Sequence, residues 1–251
     1  MDINQAGIPL GWHMLPKMDS VGSTNTWLKE HAADLPSHSV LIAREQRAGR
    51  GRNGRAFHSA KDHGLYLSIL LKQTFSCEQL GRLTALSALA LQRAILESCG
   101  LNTQIKWVND LVIQTRKLAG ILCETCCQQD TLQSTIIGFG VNVFSQSFPY
   151  MEDNQPAAIA DFSMVAPSMD TLTSALLRHV EDCLSHLDDP SYMQAYRNCS
   201  CVIGRKIRVS DGHGRYDAFA EDIDEQGRLI IRHGEARTVL CCGEVSIRPL
   251  R

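Results

Sequence analysis

The residues best suited to chemistry lie in a short segment where glycine and arginine alternate, Gly49–Arg55. Its glycines allow close backbone approach and positive φ angles. Its arginines supply guanidinium groups that suit phosphate or carboxylate oxygens. The segment does not match the G-x-x-x-x-G-K-[ST] pattern of a Walker loop. Taken alone, it is equally compatible with a small-anion site, a nucleic-acid-binding patch and a solvated turn.

Three later segments carry further polar groups. Lys106–Asp110 reads KWVND and could contact an adenine ring and phosphates, although a strand followed by an ordinary Asn-Asp turn is the favoured interpretation of this segment alone. Lys117 enters an apolar run, and because an unpaired lysine is costly to bury, it must reach solvent or meet an anion. Gly120 would let a ligand or another backbone come close. The segment 138–142, GFGVN, is weak evidence for dinucleotide binding.

The elements that must position these groups follow from hydrophobic periodicity. The pattern predicts an α+β fold with a mixed central sheet flanked by helices and a small C-terminal β-barrel, and a domain boundary near residue 200. Residues 1–199 form the larger domain, with 1–18 as a short extension, and 200–251 form the barrel. One predicted helix begins near Ser23, and the other predicted helices cover 78–99, 172–187 and 191–197. The predicted strands are 40–43, 65–71, 105–108, 111–113, 118–123, 134–143, 206–209, 216–220, 228–231 and 238–240.

Composition narrows the class of protein. The chain has 251 residues, 44% apolar and 21% charged, which predicts a packed core, and its net charge of -2 gives no general attraction to nucleic acid or membrane. It has no apolar run long enough to span a bilayer and no signal-peptide pattern, so we expect a cytoplasmic protein with reduced thiols. Cys123-x-x-Cys126 has the spacing of half a zinc site, but buried thiols are the favoured interpretation of the ten cysteines.

The order and spacing of these segments resemble the biotin protein ligases. The resemblance rests on Ser23-Thr24-Asn25, the run Glu45–Arg55, KWVND at 106–110, RKLAGIL at 116–122 and GFGVN at 138–142, with GEVSIR at 243–248 similar to the closing strand of that family. It covers roughly residues 19–251. It implies a catalytic domain over 1–199 and an SH3-like C-terminal barrel over 200–251.

The activity that the resemblance implies is a two-step ligation. Biotin and ATP, with Mg²⁺, give biotinyl-5′-adenylate, which then acylates one lysine of a biotin carboxyl carrier protein, that of acetyl-CoA carboxylase. Both a carboxylate and a triphosphate must be held together, which requires fixed cations and amides. The glycine-arginine segment is the natural candidate for a loop that closes over the adenylate and excludes water.

The resemblance also implies roles for individual residues. Lys117, Arg52 and Asp110 are the implied catalytic residues, with Lys117 against the biotin carboxylate and α-phosphate and Asp110 orienting the carrier lysine. No side chain is implied as a covalent nucleophile, and Cys123 should be dispensable. The implied biotin-binding residues are Ser23, Thr24, Asn25, Gln46, Gly49, Arg50, Arg52, Lys117 and Gly120. The implied ATP-binding residues are Arg52, Arg55, Phe57, Lys106, Asn109 and Asn142.

Two departures from the family pattern concern apolar positions. Val108 stands where the family usually has proline, and Phe57 stands where it usually has tryptophan, so aromatic stacking persists with less area. About 18 residues precede the first motif, which is too short for a helix-turn-helix domain, so DNA binding is not expected. Family members are often homodimers, but the sequence does not fix the oligomeric state. The alternatives are a lipoate or octanoate transferase of the same architecture and a non-catalytic module that binds biotinyl-adenylate or RNA.

Overall fold

The computed structural model describes residues 7–73, 75–128, 131–150, 155–165, 167–211, 214–241 and 243–247. Its larger sheet has seven strands in the order β1-β2-β3-β7-β6-β5-β4, in which only β1 and β2 pair in parallel. The predicted mixed sheet is therefore confirmed. The strands are β1 (His13–Met14), β2 (Ser39–Ala43), β3 (Gly64–Leu71), β4 (Gln104–Lys106), β5 (Asp110–Ile113), β6 (Arg116–Gln128) and β7 (Thr131–Asn142).

Strand β3 shows why this sheet lies inside the molecule. All eight of its residues are buried, as expected for a strand covered on both faces. Leu65, Leu67 and Ile69 pack into the large core, whereas Leu70 packs into a second, smaller core on the other face. Because neighbouring side chains of a strand point to opposite faces, the sheet separates the two cores.

In the described part of the chain, four helices flank the sheet: α1 (Thr24–Glu30), α2 (Cys77–Cys99), α3 (Met169–Ser185) and α4 (Pro190–Asn198). Helix α2 begins with a capping box between Ser76 and Gln79 and ends at Gly100, whose φ of 68° is the left-handed conformation that glycine adopts most easily. Its apolar face, which includes Leu83 and Leu86, is buried in the large core. The predicted helices near 78–99, 172–187 and 191–197 are confirmed.

The C-terminal region forms a separate antiparallel sheet in the order β11-β10-β9-β8-β12. Its core residues, such as Ile207 and Leu229, continue the large core of the first sheet. A C-terminal β-domain is thus confirmed, while its boundary near residue 200 stays a prediction. The strands are β8 (Arg205–Asp211), β9 (Gly214–Ile223), β10 (Leu229–His233), β11 (Ala236–Leu240) and β12 (Glu244–Ile247).

The helix start predicted near Ser23 is confirmed, since Ser23 holds the N-cap position of α1, although its side chain makes no capping hydrogen bond. The strand prediction over 105–108 is wrong at its end: the strand stops at Lys106, because residues 107–109 turn toward β5. The glycine-arginine segment contains a short 3-10 turn at Arg52–Gly54. Residues 1–6 and Arg248 lie outside the described residues. None of the helices described is both long and apolar enough to cross a membrane.

Candidate active site

The predicted site residues converge on one cavity of about 360 Å³, a size typical of small-molecule sites. It is lined by the start of α1, residues of the segment 50–58, residues of β5, β6 and β7, and residues of the C-terminal sheet. Gly49 is the one predicted site residue that does not line it. A Cβ at Gly49 would lie 2.4 Å from the carbonyl oxygen of Phe57, so this glycine permits backbone packing beneath the loop instead. The predicted residues that do line the cavity are Ser23, Thr24, Asn25, Gln46, Arg50, Arg52, Arg55, Phe57, Lys106, Asn109, Asp110, Lys117, Gly120 and Asn142.

At one end of the cavity the side chains are neutral and already connected. The side-chain oxygen of Gln46 accepts hydrogen bonds from the backbone N–H of Thr24 at 2.9 Å and from its hydroxyl at 3.1 Å. The Gln46 amide nitrogen donates to the Ser59 hydroxyl at 3.1 Å. Because an amide NH₂ has two hydrogens, Gln46 can offer one more to a ligand carbonyl. This end is preorganised for a neutral polar ring.

Asn25 is the buried centre of this neutral end. Its side-chain nitrogen donates to the Leu122 carbonyl at 3.2 Å and to the Glu124 carboxylate at 2.9 Å. The Ser68 hydroxyl lies 2.6 Å from both the Asn25 side-chain oxygen and the Thr24 hydroxyl. A Cβ at Gly138 would come within 2.1 Å of the same Asn25 oxygen, so strand β7 needs glycine there. These contacts fix the Asn25 amide in one orientation.

The opposite end carries paired charges. Lys117 Nζ lies 2.6 Å from an Asp110 oxygen, and their side chains are 24% and 17% exposed. The partner anion that the sequence required for Lys117 is therefore a carboxylate of the chain itself, and Lys117 is only partly buried. A Cβ at Gly120 would lie 3.1 Å from Lys117 Nζ and 3.4 Å from the Asp110 oxygen. Because Gly120 has no side chain, it leaves room for this ion pair between β5 and β6.

The glycine-arginine loop is tied down at two points. Arg52 donates to the Asn109 side-chain oxygen at 3.1 Å and to the Gly243 carbonyl at 3.3 Å, so it joins the loop to both domains. Arg50 lies 3.2 Å from Glu124 and 3.5 Å from the Thr26 hydroxyl. Two of the loop's guanidinium groups therefore already have partners around the cavity.

Beside the charged end, the lining combines an aromatic ring, a buried cation and an unsatisfied amide. Phe57 lies over Gly140, where a Cβ would come within 2.6 Å of the ring. Lys106 and Asn142 are 6% and 3% exposed. The side-chain oxygen of Asn142 is buried and, among the described residues, has no hydrogen-bond partner. Because a buried polar atom without a partner is costly, this oxygen suits a ligand N–H.

The turn at 107–109 is held by the protein core. Trp107 is 4% exposed and its indole N–H donates to the Gly227 carbonyl at 2.8 Å. The Tyr196 hydroxyl donates to the Val108 carbonyl at 2.9 Å, and burial raises the pKa of Tyr196, which keeps this donor protonated. Trp107 thus anchors the turn to the core, and because it also lines the cavity, its contact with adenine stays a prediction.

Sequence reasoning missed several lining residues. The C-terminal sheet contributes polar side chains at alternate positions of β8, which is the spacing of one strand face. That spacing was the available signal, but it does not tell which face meets the cavity. Glu124 and Ser68, which contact Asn25 but do not line the cavity, were also missed, since neither lies in a motif. The missed lining residues of the C-terminal sheet are Arg208, Ser210, Arg215, Val245 and Ser246.

The two cysteines with half a zinc spacing lie on opposite faces of the sheet. Cys123 packs against the large core and Cys126 against the smaller one. Burial raises the pKa of the Cys123 thiol to about 11, so it is protonated at neutral pH. Both are free thiols. Their arrangement is that of packed cysteines.

Comparisons with known proteins agree with this geometry. Residues 18–142 match the model of the Biotin/lipoate A/B protein ligase family. The chain is 31% identical over 248 residues to the Biotin--[acetyl-CoA-carboxylase] ligase of Mycobacterium tuberculosis, covering 95% of this chain and 91% of that protein. It is 28% identical over 235 residues to the Bifunctional ligase/repressor BirA of Bacillus subtilis, covering 90% of this chain and 71% of that protein.

A solved structure shares the fold. The biotin protein ligase from Aquifex aeolicus in complex with biotin and ATP superposes with a TM-score of 0.80 at 23% identity, covering 94% of this chain and 98% of that one. The fold and the cavity thus define an enzyme of the biotin and lipoate ligase class. Within that class, the chain belongs to the biotin protein ligase family. The lipoate-transferase and non-catalytic alternatives are not supported.

Proposed function

We propose that the chain activates biotin with ATP as biotinyl-5′-AMP and then transfers the biotinyl group to one lysine of a biotin carboxyl carrier protein, that of acetyl-CoA carboxylase. The observation that carries this proposal is the Lys117–Asp110 pair in the same cavity as the neutral Gln46–Thr24 network and the glycine-arginine loop. Biotin has a neutral cyclic urea at one end and a carboxylate at the other. The cavity offers a matching neutral end and charged end.

At the neutral end, Gln46 and Thr24 hydrogen-bond the ring system of biotin, supported by Ser23 and Asn25. The remaining N–H of Gln46 donates to the urea carbonyl. At the charged end, the biotin carboxylate takes the place of Asp110 as the counter-ion of Lys117. Lys117 keeps one anion throughout this exchange and is never left unpaired.

In the first step, a biotin carboxylate oxygen attacks the α-phosphorus of ATP. A new O–P bond forms, the bond between the α-phosphorus and the bridging oxygen breaks, and pyrophosphate leaves with the electron pair. Lys117, Arg52 and Arg55 offset the charge that accumulates in this transition state. Asn142 accepts from the adenine amino group, Phe57 stacks on the base, and Lys106 and Asn109 complete the nucleotide side.

In the second step, the carrier lysine attacks the acyl carbon of the adenylate. A C–N bond forms, the C–O bond to AMP breaks, and the amine loses a proton. Asp110, released from Lys117 when the carboxylate binds, is placed to orient that amine and accept its proton. AMP leaves with the electron pair of the broken bond.

Mg²⁺ enters this proposal with the triphosphate. Asp110 is the one carboxylate that lines the cavity in the described part of the chain, and no group of three or more potential metal-ligating side chains occurs there. Such a site fits an ion bound mainly by phosphate oxygens, which is usual for Mg²⁺. The ion would neutralise phosphate charge.

The test is biotin-dependent exchange of labelled pyrophosphate into ATP, with lipoate in place of biotin as the matched control. We expect exchange with biotin and none with lipoate, and a thermal shift with biotin alone. Pyrophosphate exchange that proceeds equally without biotin would reject the ligase. RNA binding with a steep salt dependence, in the absence of exchange, would also reject it. Mass-spectrometric mapping of the modified lysine on the carrier domain tests the second step.

A further inference from the structure

The carboxylate of Glu124 connects the glycine-arginine loop to the neutral end of the cavity. Strand β6 alternates its faces, so Gly120, Leu122 and Glu124 point to the same side, and the first two line the cavity. One Glu124 oxygen lies 3.2 Å from Arg50, and the other accepts from Asn25 at 2.9 Å. Both of its oxygens are therefore used, by two different elements.

The burial of the two partners is unequal. The Glu124 side chain is 17% exposed, whereas that of Arg50 is 49% exposed and lies on the loop. If the loop opened, Arg50 would be solvated by water, but Glu124 would remain a largely buried carboxylate with one neutral donor, Asn25. A buried charge without its counter-ion is unfavourable, so Glu124 favours the closed position of the loop.

The contact continues into the neutral network. The Ser68 hydroxyl donates to the Asn25 side-chain oxygen and can accept from the Thr24 hydroxyl, and the backbone N–H of Thr24 donates to Gln46. A continuous series of hydrogen bonds thus runs from the residues that would hold the biotin ring to the loop that would cover the adenylate. The network that fixes Asn25 therefore also orients Glu124 toward the loop.

We propose that Glu124 is a positioning residue that latches the loop 49–55 over the cavity through Arg50 and so retains the adenylate until the carrier arrives. The inference rests on the proposed function. It predicts an effect on loop opening and on retention of the adenylate, with little effect on its formation.

The first experiment uses Glu124→Gln, which removes the charge but keeps an oxygen that can accept from Asn25. We expect trypsin to cut after the loop arginines about fivefold faster in the ligand-free variant, and biotinyl-5′-AMP formed in situ to leave about fivefold faster, which is the size of one partly exposed ion pair. The turnover number for pyrophosphate exchange should change less than about twofold. Glu221→Gln is the matched control. Glu221, on β9, pairs with Arg232 on β10 and Arg237 on β11, and it does not line the cavity.

A double-mutant cycle with Arg50→Gln separates latching from a structural role. Its readouts are adenylate release and trypsin cleavage after Arg52 and Arg55, since this variant lacks the trypsin site at position 50. If the two residues act through each other, the double variant is no worse than either single variant. Additive effects, or unchanged cleavage and release in Glu124→Gln, would overturn the proposal. If Glu124→Gln fails to fold, Arg50→Gln on the exposed loop gives the same cleavage and release test. Because trypsin cleavage is read on the ligand-free chain, an absence of exchange in the unmodified enzyme would reject the proposed function without deciding the latch.

Discussion

The two ends of the cavity solve the problem of binding a polar ligand in different ways. At the neutral end, Gln46, Thr24, Asn25 and Ser68 satisfy most of one another's hydrogen bonds. At the charged end, Lys117 pairs with the Asp110 carboxylate, which the biotin carboxylate replaces in the proposed reaction. The first end is connected before any ligand arrives, whereas the second exchanges partners in the proposed reaction. Rigidity suits recognition of a ring shape, and exchange suits a site where charge moves during reaction.

One short sequence motif contributes to both ends of the cavity. In strand β7, Gly138 makes room for Asn25, and Gly140 makes room for Phe57. From sequence alone, this G-x-G was weak evidence for nucleotide binding. In the structure, each of these glycines leaves room for a neighbouring side chain, Gly138 at the neutral end and Gly140 at the charged end. The comparison can therefore be tested along a single strand.

The largest effect is expected at the charged end. Lys117→Ala should lower biotin-dependent pyrophosphate exchange by about a thousandfold, because it removes the cation that would hold the attacking carboxylate. Circular dichroism and the urea midpoint check that the fold is intact. Lys61→Ala is the matched control, since Lys61 pairs with Asp19 at the surface and does not line the cavity. Near-normal turnover in Lys117→Ala would contradict the exchange of counter-ions.

The next effect concerns the loop that covers the charged end. Arg52→Gly removes the hydrogen bonds to Asn109 and Gly243, and the expected result is release of the adenylate about tenfold faster. Lysines of bystander proteins should then become biotinylated. The measurements are adenylate release and labelling of serum albumin. Arg44→Gly is the control, because Arg44 pairs with Asp19 and Asp62 outside the cavity. Unchanged release and labelling would argue against a covering role for Arg52.

A smaller, selective effect is expected from the two glycines of β7. Gly138→Ala should raise the KM for biotin about tenfold, because Asn25 is fixed by its hydrogen bonds and cannot move away cheaply. Gly140→Ala should raise the KM for ATP by about fivefold, because the Phe57 ring must shift. Steady-state kinetics with each substrate varied measures both. Equal effects on both substrates in either variant would mean that the two ends are not independent.

Sequence reasoning succeeded where the signal was local and periodic. Helix α2 and strand β3 follow from spacing and end signals within one segment. The predicted site residues lie in motifs that are continuous in sequence, and all but Gly49 line one cavity, while their individual roles stay predictions. Glu124 was missed because its role depends on Arg50 and Asn25, which lie on other elements. The end of β4 was misplaced because Tyr196, far along the chain, holds the Val108 carbonyl in a turn.

The smallest effect is expected from Cys123, which lies beside the site and takes no part in the proposed reaction. Cys123 lies in β6 between Leu122 and Glu124, but its side chain faces the core rather than the cavity. Its pKa of about 11 keeps the thiol protonated and unreactive at neutral pH. Cys123→Ala should therefore change exchange less than about twofold, and iodoacetamide at pH 7 should not modify this residue in the folded enzyme, as mass spectrometry can check. The exposed thiol of Cys241 is the internal control for alkylation. Loss of exchange in Cys123→Ala without loss of folded protein would mean that the core face of β6 reaches into the reaction.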